Sequence, residues 1–454
     1  MADALLQPDR GQPARTITLL APDAFEPWLA RQPQRVRTAL VAQRFTGAAG
    51  GHAIYAEDDV QAVVVASRTD SWTLARLAEA LPTGTYRVDG AIGPAALGWL
   101  LGQYRFDRYR TSETAGPRIL LTHDVAAIDE TVRLAAATGW VRDLVNTGAG
   151  DLGPAELEDA AERLARDHGA TVTVTRGDAL ASGFPLIHAV GQAAVKERAP
   201  RLIELVWGDP AHPRVALVGK GVVFDTGGLD IKPSAGMRLM KKDMGGAAHA
   251  LALARLVMAA RLPVRLHLLI PAVENAIAGN AFRPGDVLRS RLGPTVENTN
   301  TDAEGRLILA DALARAGEDS PELILDFATL TGAARVALGP DLPPLFTDDA
   351  VLAADLLAAG VAQDDPLWQL PLWDGYDEML SSDIADMVNA PDGGFAGAIT
   401  AALFLRRFVP KGIAWAHMDV FAWRPSAKPG RPKGGDAYAL RACYAVLKQR
   451  YGTR

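Results

Sequence analysis

The stretch RVALVGKGVVFDTGGLDIK, from Arg214 to Lys232, largely decides the fold. Residues 214–225 are apolar enough to predict a central, buried strand. Lys220 lies inside this strand, where an unpaired ammonium group is costly. Asp225 ends the strand and leads into a Gly-Gly pair, which lets the backbone turn closely around a ligand. We therefore predict a buried strand that brings two charged side chains to a turn.

Short apolar runs and helical patterns alternate on both sides of this stretch, which predicts an α/β fold. The predicted strands cover residues 16–21, 62–67, 119–123, 170–175, 201–207, 214–225, 264–270, 322–330 and 413–423. The predicted helices cover residues 74–81, 95–104, 128–146, 155–168, 237–260, 307–316 and 396–409. No cluster of chemically reactive side chains occurs in the first third of the chain, so we interpret that part as a structural or oligomerisation domain.

Length and composition set the limits of this interpretation. The chain has 454 residues, more than one core usually organises, so we expect two domains. A Gly/Pro-rich break, TGAGDLGP, follows the helix predicted at 128–146 and places the boundary near residue 140, giving domains 1–140 and 141–454. The net charge of −6 argues against a broadly basic surface for nucleic acid.

The single cysteine and the N-terminus bear on location. Cys443, the only cysteine, excludes an internal disulfide and fits a reducing compartment. It lies in an apolar helical pattern, so we predict a core residue and not a nucleophile. The N-terminus lacks the apolar segment of a signal peptide, and no apolar run approaches the length of a membrane span. We expect a cytoplasmic protein with no membrane partner.

A second polar stretch, NTDAEGRL (Asn300–Leu307), stands before an apolar helical pattern. In extended backbone, residues two apart point the same way, so Asp302 and Glu304 can meet one ligand. A helix cap is an alternative that this stretch alone leaves open, because acids near a helix start complement its dipole. An EF-hand fits poorly, because Pro294 and β-branched residues precede the stretch and Asp311 stands where a bidentate glutamate belongs.

A third polar position, Asp243, lies among small residues just before another Gly-Gly pair. A glycine next to a lysine, as at Lys220, is also found in phosphate-binding loops. Arg214, however, stands where a Walker A loop needs its first glycine. Gly221 stands where that loop needs serine or threonine, and a dinucleotide fingerprint lacks its third glycine. The sequence therefore argues against nucleotide binding.

Charged groups are thus expected together at strand ends and helix starts: Lys220, Asp225, Asp243, Asp302 and Glu304. Carboxylates crowd only where cations neutralise them. Two divalent metals sharing bridging carboxylates would do so and would activate a water for hydrolysis. The oxygen-rich set favours Mn²⁺ or Mg²⁺ without excluding Zn²⁺. His249 and His417 lie in small-residue or apolar runs, and we predict that they pack instead of binding metal.

Three blocks of the chain resemble the cytosolic leucyl aminopeptidase family of two-metal exopeptidases: NTDAEGRL, GKGVVFDTGGLDIK and KKDMGGAA. The resemblance implies metal ligands at Lys220, Asp225, Asp243, Asp302 and Glu304, with Asp225 and Glu304 bridging two ions, Mn²⁺ or Zn²⁺. It also implies that Lys232 polarises the substrate or stabilises the oxyanion, and that Arg306 holds a bicarbonate acting as general base. Both roles are physically sound, because fixed cations lower the barrier where negative charge develops.

The resemblance further implies an architecture and a substrate class. We expect a small, macro-like N-terminal α/β domain joined by a long helix to a catalytic domain with a mixed, mostly parallel sheet flanked by helices. We also expect a homohexamer whose inner cavity admits short peptides. Pocket residues for the first side chain would be Met240, Asn300, Ala303, Thr329 and Leu330. Two of these are large and apolar, which favours leucine or methionine at the substrate N-terminus.

The expected function is that of a metalloaminopeptidase that releases N-terminal residues from short peptides by means of a water activated by two metals. Two alternatives remain. A cysteinylglycine dipeptidase would share the metal ligands and differ in the pocket, and a DNA-binding regulator would conflict with the acidic net charge. The C-terminal run from Pro432 to Leu447 departs from the family pattern, which leaves the far wall of the pocket and the substrate preference open.

Overall fold

The computed structural model describes residues 5–110 and 116–452, which form two compact units. The first unit ends at Gly139 and includes the stretch Ser426–Lys433; the second contains Trp140–Pro425 and continues from Gly434. The long helix Ile128–Asn146 begins in the first unit and ends in the second. Each unit has its own buried apolar core.

The described part of the first unit contains a six-stranded sheet with the order β1-β6-β5-β2-β4-β3. Its strands are β1 (Leu6–Pro8), β2 (Arg15–Leu20), β3 (His52–Ala56), β4 (Val60–Val65), β5 (Gly84–Asp89) and β6 (Arg118–Thr122). Its helices are α1 (Phe25–Ala30), α2 (Gln34–Ala42), α3 (Ala75–Ala80) and α4 (Ala95–Gly102). Only β3 runs antiparallel to its neighbour among these strands.

Strand β4 explains why this sheet is buried on both faces. Ala62 and Val64 belong to one apolar cluster, and Val63 and Val65 belong to another. Alternate residues of a strand point to opposite faces, so both faces of the sheet are covered. This is why the sequence shows an unbroken apolar run here and not an alternating one.

The second unit contains a mixed nine-stranded sheet within the described residues, ordered β16-β15-β18-β14-β9-β11-β8-β7, with β10 paired to β11. Helix α5 (Ile128–Asn146) ends in this unit. The other helices described here are α6 (Pro154–His168), α7 (Gly177–Gly183), α8 (Pro185–Gly191), α9 (Ser234–Met237), α10 (Gly245–Ala259), α11 (Glu304–Glu318), α12 (Gly332–Leu338), α13 (Ala350–Ala362), α14 (Gly397–Arg406) and α15 (Leu440–Tyr451).

The strands of the large sheet are β7 (Thr171–Arg176), β8 (Arg201–Trp207), β9 (Arg214–Gly219), β10 (Gly221–Asp225), β11 (Arg265–Asn275), β14 (Leu323–Ala328), β15 (Pro344–Phe346), β16 (Trp368–Gln369) and β18 (Ala414–Asp419). Short strands outside it are β12 (Val287–Arg289), β13 (Thr295–Glu297), β17 (Met387–Val388), β19 (Trp423–Arg424) and β20 (Gly434–Gly435). The central strands β18, β14, β9 and β11 are mutually parallel, which confirms the predicted mostly parallel sheet.

Helices cover both faces of this sheet. In β9, Ala216 and Val218 join the apolar cluster formed with helices α8, α11 and α14. Val215 and Leu217 are equally buried but lie outside that cluster, and α10 packs against β9 and β14. Because alternate residues of β9 are buried on opposite faces, the strand lies at the centre of a three-layer α/β/α unit.

Most predicted elements differ from the structure by a few residues at their ends, and two differ in a way that has a clear physical cause. The predicted strand at 214–225 is interrupted at Lys220, whose carbonyl accepts a hydrogen bond from Ala247 N at the start of α10 and so leaves the sheet ladder. The predicted helix at 237–260 starts only at Gly245. An added Cβ at Gly246 would lie 2.1 Å from Phe327 O, so the glycines set where α10 can begin its close approach to β14.

Candidate metal centre

Polar side chains lie together at one edge of the nine-stranded sheet. β9, β14 and β18 are parallel, so their carboxyl ends meet at one edge of the sheet, where α/β proteins commonly bind ligands. Lys220 directly follows β9, Thr329 follows β14, and Asp419 ends β18. Asp225 ends the neighbouring β10. Strand order thus brings Lys220, Asp225 and Thr329, which are far apart in the sequence, to one place.

Two helix starts supply the remaining acids. Asp243 lies immediately before α10, and Glu304 is the first residue of α11, with Asp302 just ahead of it. Carboxylate oxygens of Asp225, Asp302 and Glu304 lie within 4.8 Å of one another. The side chains of Asp225 and Glu304 are 3% and 1% exposed, whereas that of Asp302 is 34% exposed. The cluster is therefore buried on one side and open to solvent on the other.

Two lysines partly offset this negative charge. Lys220 Nζ lies 2.8 Å from Asp243 Oδ2 and 2.9 Å from Glu304 Oε1, and it donates a hydrogen bond to Thr329 O. Lys232 Nζ lies 2.8 Å from Asp225 Oδ2 and also contacts Asp302. An added Cβ at Gly305 would lie 2.6 Å from Lys220 Cε, so only glycine lets this lysine lie along the start of α11. These ion pairs link Asp243 and Glu304 to Lys220, and Asp225 and Asp302 to Lys232.

The pKa values show that the compensation is incomplete. Burial, and then the charge of Asp225, raise the pKa of Glu304 to about 8 and that of Asp302 to about 6. Burial alone would lower the pKa of Lys220, but Asp243, Glu304 and Asp225 outweigh it and raise that pKa above its ordinary value. The protein therefore holds more carboxylate charge here than its own lysines neutralise.

The residues present fit a divalent cation. Asp243 Oδ2 and Glu304 Oε1 are buried and accept no hydrogen bond of normal geometry, although both lie close to Lys220 Nζ. Buried carboxylate oxygens without donors are costly unless a cation occupies the site. Crowded carboxylates with two raised pKa values point the same way. The donor set of carboxylate oxygens and one amine suits Mn²⁺ or Zn²⁺.

Two polar side chains hold the acids in place: Asn275, which sequence reasoning missed, and Thr329, which was predicted only as a pocket residue. Asn275 Nδ2 donates to Asp225 Oδ1 over 2.8 Å and to Thr301 O over 3.1 Å. Thr329 Oγ1 donates to Asp243 Oδ1 over 2.8 Å. Asn275 is the last residue of β11, in the sequence PAVEN, just as Asp225 is the last residue of β10. A polar residue at a strand end is thus the signal that could have found it, but Asn275 carries no charge. Such neighbours fix the orientation of metal-binding side chains.

Arg306 lies beside the cluster in the first turn of α11. Its side chain is buried, Nη1 donates to Asn389 O over 2.7 Å, and Nε has no hydrogen-bond partner among the described residues. Burial lowers the pKa of Arg306 to about 10. A guanidinium group with a buried, unused donor can hold a small anion.

An open cleft of about 310 Å³ lies over the cluster. Lys220, Asp225, Lys232, Asp243 and Asp302 line it, and of the predicted pocket residues Met240, Thr329 and Leu330 line it as well. Asn300 and Ala303 lie in the turn before α11 but are not among the lining residues. Asn300 Oδ1 instead accepts a hydrogen bond from Asp302 N and shapes that turn.

The residues predicted to pack do so. His249 is fully buried, with Nδ1 2.6 Å from Gly245 O and Nε2 accepting from Tyr438 N. His417 is also buried and contacts Asp326 through Nδ1 over 2.5 Å. Cys443 is buried, and burial raises the pKa of its thiol. All three residues are therefore buried in the core, as predicted.

A mixed α/β sheet with surplus carboxylates at the carboxyl edge of its parallel strands is the arrangement of a metal-dependent hydrolase. Comparison with known proteins makes this specific. Residues 139–444 match the catalytic domain of the cytosol aminopeptidase family, and residues 16–122 match the N-terminal domain of M17 aminopeptidases. The chain belongs to this family and is a metal-dependent aminopeptidase.

Similar proteins cover between 78% and 98% of the chain. A probable cytosol aminopeptidase from Syntrophotalea carbinolica is 42% identical over 370 residues, covering 78% of this chain and 74% of that protein. The crystal structure of cytosol aminopeptidase from Coxiella burnetii has a TM-score of 0.94 and 45% identity, covering 98% of this chain and 99% of that one. The bottromycin maturation enzyme BotP in complex with Mn has a TM-score of 0.86 and 33% identity, covering 96% and 100%.

Among the described residues, none of the helices combines the length and the apolar character that spanning a membrane requires.

Proposed function

We propose that this chain removes N-terminal residues, leucine-like ones among a broad range, from short peptides at a centre that holds two divalent metal ions. Lys220, Asp225, Asp243, Asp302 and Glu304 would be the ligands, with Asp225 and Glu304 shared by both ions. The observation that carries this proposal is the surplus of carboxylates at one point, with raised pKa values for Asp302 and Glu304. When bound, the ions would supply an activated water and stabilise the developing negative charge.

Lys232 would bind the substrate carbonyl. Its ammonium lies between Asp225 and Asp302, lines the cleft, and has a pKa that these acids hold above its ordinary value despite burial. The group therefore stays protonated at neutral pH. A fixed ammonium aimed at the reacting carbonyl would stabilise the oxyanion that forms there.

Arg306 would hold a bicarbonate that takes the proton from the attacking water. The buried Nε without a partner supports this assignment, because it leaves a donor ready for an anion oxygen. A bound bicarbonate suits this site because each carboxylate of the cluster would bind a metal ion or a lysine and so would not be free to take the proton. Exchange of this anion would then change the rate without changing the metal content.

The first side chain of the peptide would contact Met240, Thr329 and Leu330 in the cleft, with Asn300 and Ala303 supporting the turn beneath. Met240 and Leu330 offer an apolar surface, which favours leucine or methionine at the peptide N-terminus. We further propose a homohexamer in the cytoplasm, with the N-terminal domain (residues 1–140) in a structural role and the catalytic domain formed by residues 141–454. Mn²⁺ or Zn²⁺ would be the resident ion. The Mn complex of BotP supports Mn²⁺, and the relatives named cytosol aminopeptidases support the cytoplasm.

The test is hydrolysis of Leu-p-nitroanilide by metal-stripped protein to which Mn²⁺, Zn²⁺, Co²⁺ or Mg²⁺ is restored singly. Activity should return with Mn²⁺ or Zn²⁺ and be absent in Asp302→Ala and Glu304→Ala variants that fold normally. Full activity in either variant would refute the proposed centre.

A further inference from the structure

The loop that carries Lys232 leaves the large sheet after β10 and covers residues 226–232. Its outer residues, 229–231, are exposed, so burial does not hold that part of the loop in place. At the base of the loop, Thr226 N donates to Asn275 O over 3.1 Å, and Lys232 N donates to Thr226 O over 3.0 Å. These two hydrogen bonds close the loop, and the position of its outer part depends on other contacts.

Asp230 makes such a contact with Thr301, a fully buried residue in the turn before α11. Thr301 N donates to Asp230 Oδ2 over 2.7 Å, and Asp230 N donates to Thr301 Oγ1 over 2.8 Å. Thr301 Oγ1 in turn donates to Gly227 O over 2.6 Å, within the same loop. We call the two reciprocal hydrogen bonds between Asp230 and Thr301 the clasp. It holds the exposed part of the loop against a buried turn.

The loop backbone lies very close to this turn. Gly228 has a φ of +66°, and an added Cβ there would lie 2.9 Å from Thr301 Cβ. A side chain at this position would therefore push the loop away from the turn before α11. Glycine permits the close approach, and the clasp on the neighbouring residues fixes it.

The clasp joins two parts of the chain whose charged side chains meet at the candidate metal centre. Asp230 precedes Lys232 by two residues, and Thr301 directly precedes Asp302. Lys232 Nζ lies 2.8 Å from Asp225 Oδ2 and also contacts Asp302. Both acids would bind metal ions in the loaded centre, so their ion pairs with Lys232 would not by themselves fix its ammonium. The backbone that carries Lys232 would then have to fix it.

We propose that Asp230 is a positioning residue, which acts through its clasp with Thr301 to hold Lys232 where it stabilises the oxyanion. The inference rests on the proposed function, because the role of Lys232 comes from there. Asp230 is not among the residues that line the cleft, so it acts through the loop and not by contact with the peptide. Groups that orient the side chains of a metal site contribute on the order of 10–100-fold to activity or metal affinity.

The first experiment measures kcat and KM separately for Leu-p-nitroanilide on the Mn²⁺-loaded enzyme. Asp230→Ala should lower kcat by ~10-fold and change KM by less than about twofold, because Lys232 acts on charge that develops in the transition state. The Mn²⁺ affinity of the stripped variant should match that of the parent. Asp230→Asn keeps an oxygen that accepts from Thr301 N and should retain most of the parent kcat. Asp209→Ala removes an exposed aspartate that binds Ala211 N elsewhere in the chain, and it should leave kcat unchanged.

A second experiment tests the clasp on metal-free protein, without catalysis. Thr301→Val removes the hydroxyl group at nearly constant shape, and Asp230→Ala removes the carboxylate of the same pair. Each variant should exchange amide hydrogens of the loop 226–232 faster than the parent. The double variant should exchange no faster than the faster single variant, and its kcat should equal the lower of the two single values, since residues of one network are not additive.

The results that would overturn the inference differ from those that would overturn the proposed function. An unchanged kcat in Asp230→Ala, or an equal loss in Asp230→Ala and Asp230→Asn, would exclude the positioning role. A loss of Mn²⁺ affinity that accounts for the lower kcat would exclude it too, because the clasp would then serve Asp302. Additive effects in the double variant would show that the two residues do not act as a clasp.

Failure of the Mn²⁺-loaded parent to hydrolyse Leu-p-nitroanilide would overturn the proposed function, and this inference with it. Asp230 is exposed, so its variants keep the buried core intact. The comparison of Asp230→Ala with Asp230→Asn therefore decides the positioning role even if Thr301→Val fails to fold.

Discussion

Two buried charge clusters in the second unit differ in how their charges balance. In one, Asp436 accepts hydrogen bonds from Arg142 Nε and Arg424 Nε, both over 2.9 Å, and Arg424 also pairs with Asp341 over 2.6 Å. In the other, Lys220 and Lys232 are the only cations among the described residues within 3 Å of Asp225, Asp243, Asp302 or Glu304, and Lys242 lies 4.0 Å from Asp243. The first cluster is balanced, and the second has four carboxylates against two ammonium groups.

The pKa values follow this difference. Burial opposes ionisation of Asp436, but Arg142 and Arg424 outweigh it and lower its pKa. Glu304 is equally buried, yet its pKa rises to about 8. Burial alone therefore does not distinguish a structural cluster from a binding site. The unbalanced charge does, because it leaves room for a cation that the chain does not supply.

The largest expected effect comes from Glu304→Gln, which removes a carboxylate of the unbalanced cluster. We expect kcat/KM on Leu-p-nitroanilide to fall by ~10³-fold or more, since the variant loses a proposed metal ligand and its charge. The metal-stripped variant should nevertheless be at least as stable as the parent at neutral pH. Because the pKa of Glu304 is raised in the folded state, its contribution to the free energy of unfolding is full below about pH 4.5 and is lost as the pH rises toward about 8. Glutamine does not ionise, so the variant does not show this loss. A variant that is less stable in urea unfolding at pH 8 would contradict this account.

Asp436→Asn should have the opposite effect in the balanced cluster. It leaves two buried guanidinium groups without their shared carboxylate, which we expect to lower the free energy of unfolding by ~3–5 kcal/mol. The activity per folded molecule should remain close to that of the parent. Denaturant unfolding and metal content measured on one preparation would check both parts. Loss of bound metal without loss of stability would show that the two clusters are not separate.

A smaller change is expected for Asn275→Ala, next to the metal centre. The variant keeps each proposed ligand but removes the hydrogen bond that orients Asp225. Metal affinity should weaken by ~10–100-fold, as for other groups that orient metal ligands. Titration of stripped protein with Mn²⁺ would measure it, with high Mn²⁺ restoring most of the activity. Unchanged affinity would mean that Asp225 needs no such support.

The smallest effect on activity is expected at Asp311, an acid buried away from the cleft lining. Its carboxylate accepts from Leu186 N, Ile187 N and Arg291 N, yet burial raises its pKa to about 7. Stability from this group is full below its unfolded pKa near 4 and is lost as the pH rises toward 7. Asp311→Asn should flatten this dependence, by up to ~1.4 kcal/mol per pH unit. If the free energy of unfolding changed with pH in the same way in variant and parent between pH 4 and 7, the effect would be excluded.

The sequence predicted the carboxylate cluster because its residues break apolar patterns. Lys220 and Asp243 lie in runs where an unpaired charge is costly, so partners had to be near, and the NTDAEGRL block supplied them. The parallel strand order then explains why they meet. The α/β class followed from unbroken apolar runs such as β4, which signal strands buried on both faces.

Other features depended on contacts that no local pattern encodes. The interruption of the strand at Lys220 arises from the Ala247 hydrogen bond, and the late start of α10 arises from packing on Phe327 O. Ser426–Lys433 belongs to the first unit although it follows the catalytic residues in sequence. Asn275 and Lys242 look like ordinary strand-end and surface residues until the fold places them beside Asp225 and in the cleft.

The most direct test of the central claim is the number of metal ions bound per chain. Metal-stripped protein should take up two Mn²⁺ per chain by equilibrium dialysis with elemental analysis, and the Glu304→Gln variant should lose tight binding while Asp436→Asn keeps it. Binding of no Mn²⁺ or Zn²⁺ by the folded parent, or equal binding by parent and Glu304→Gln, would contradict the account that surplus carboxylates form the metal centre.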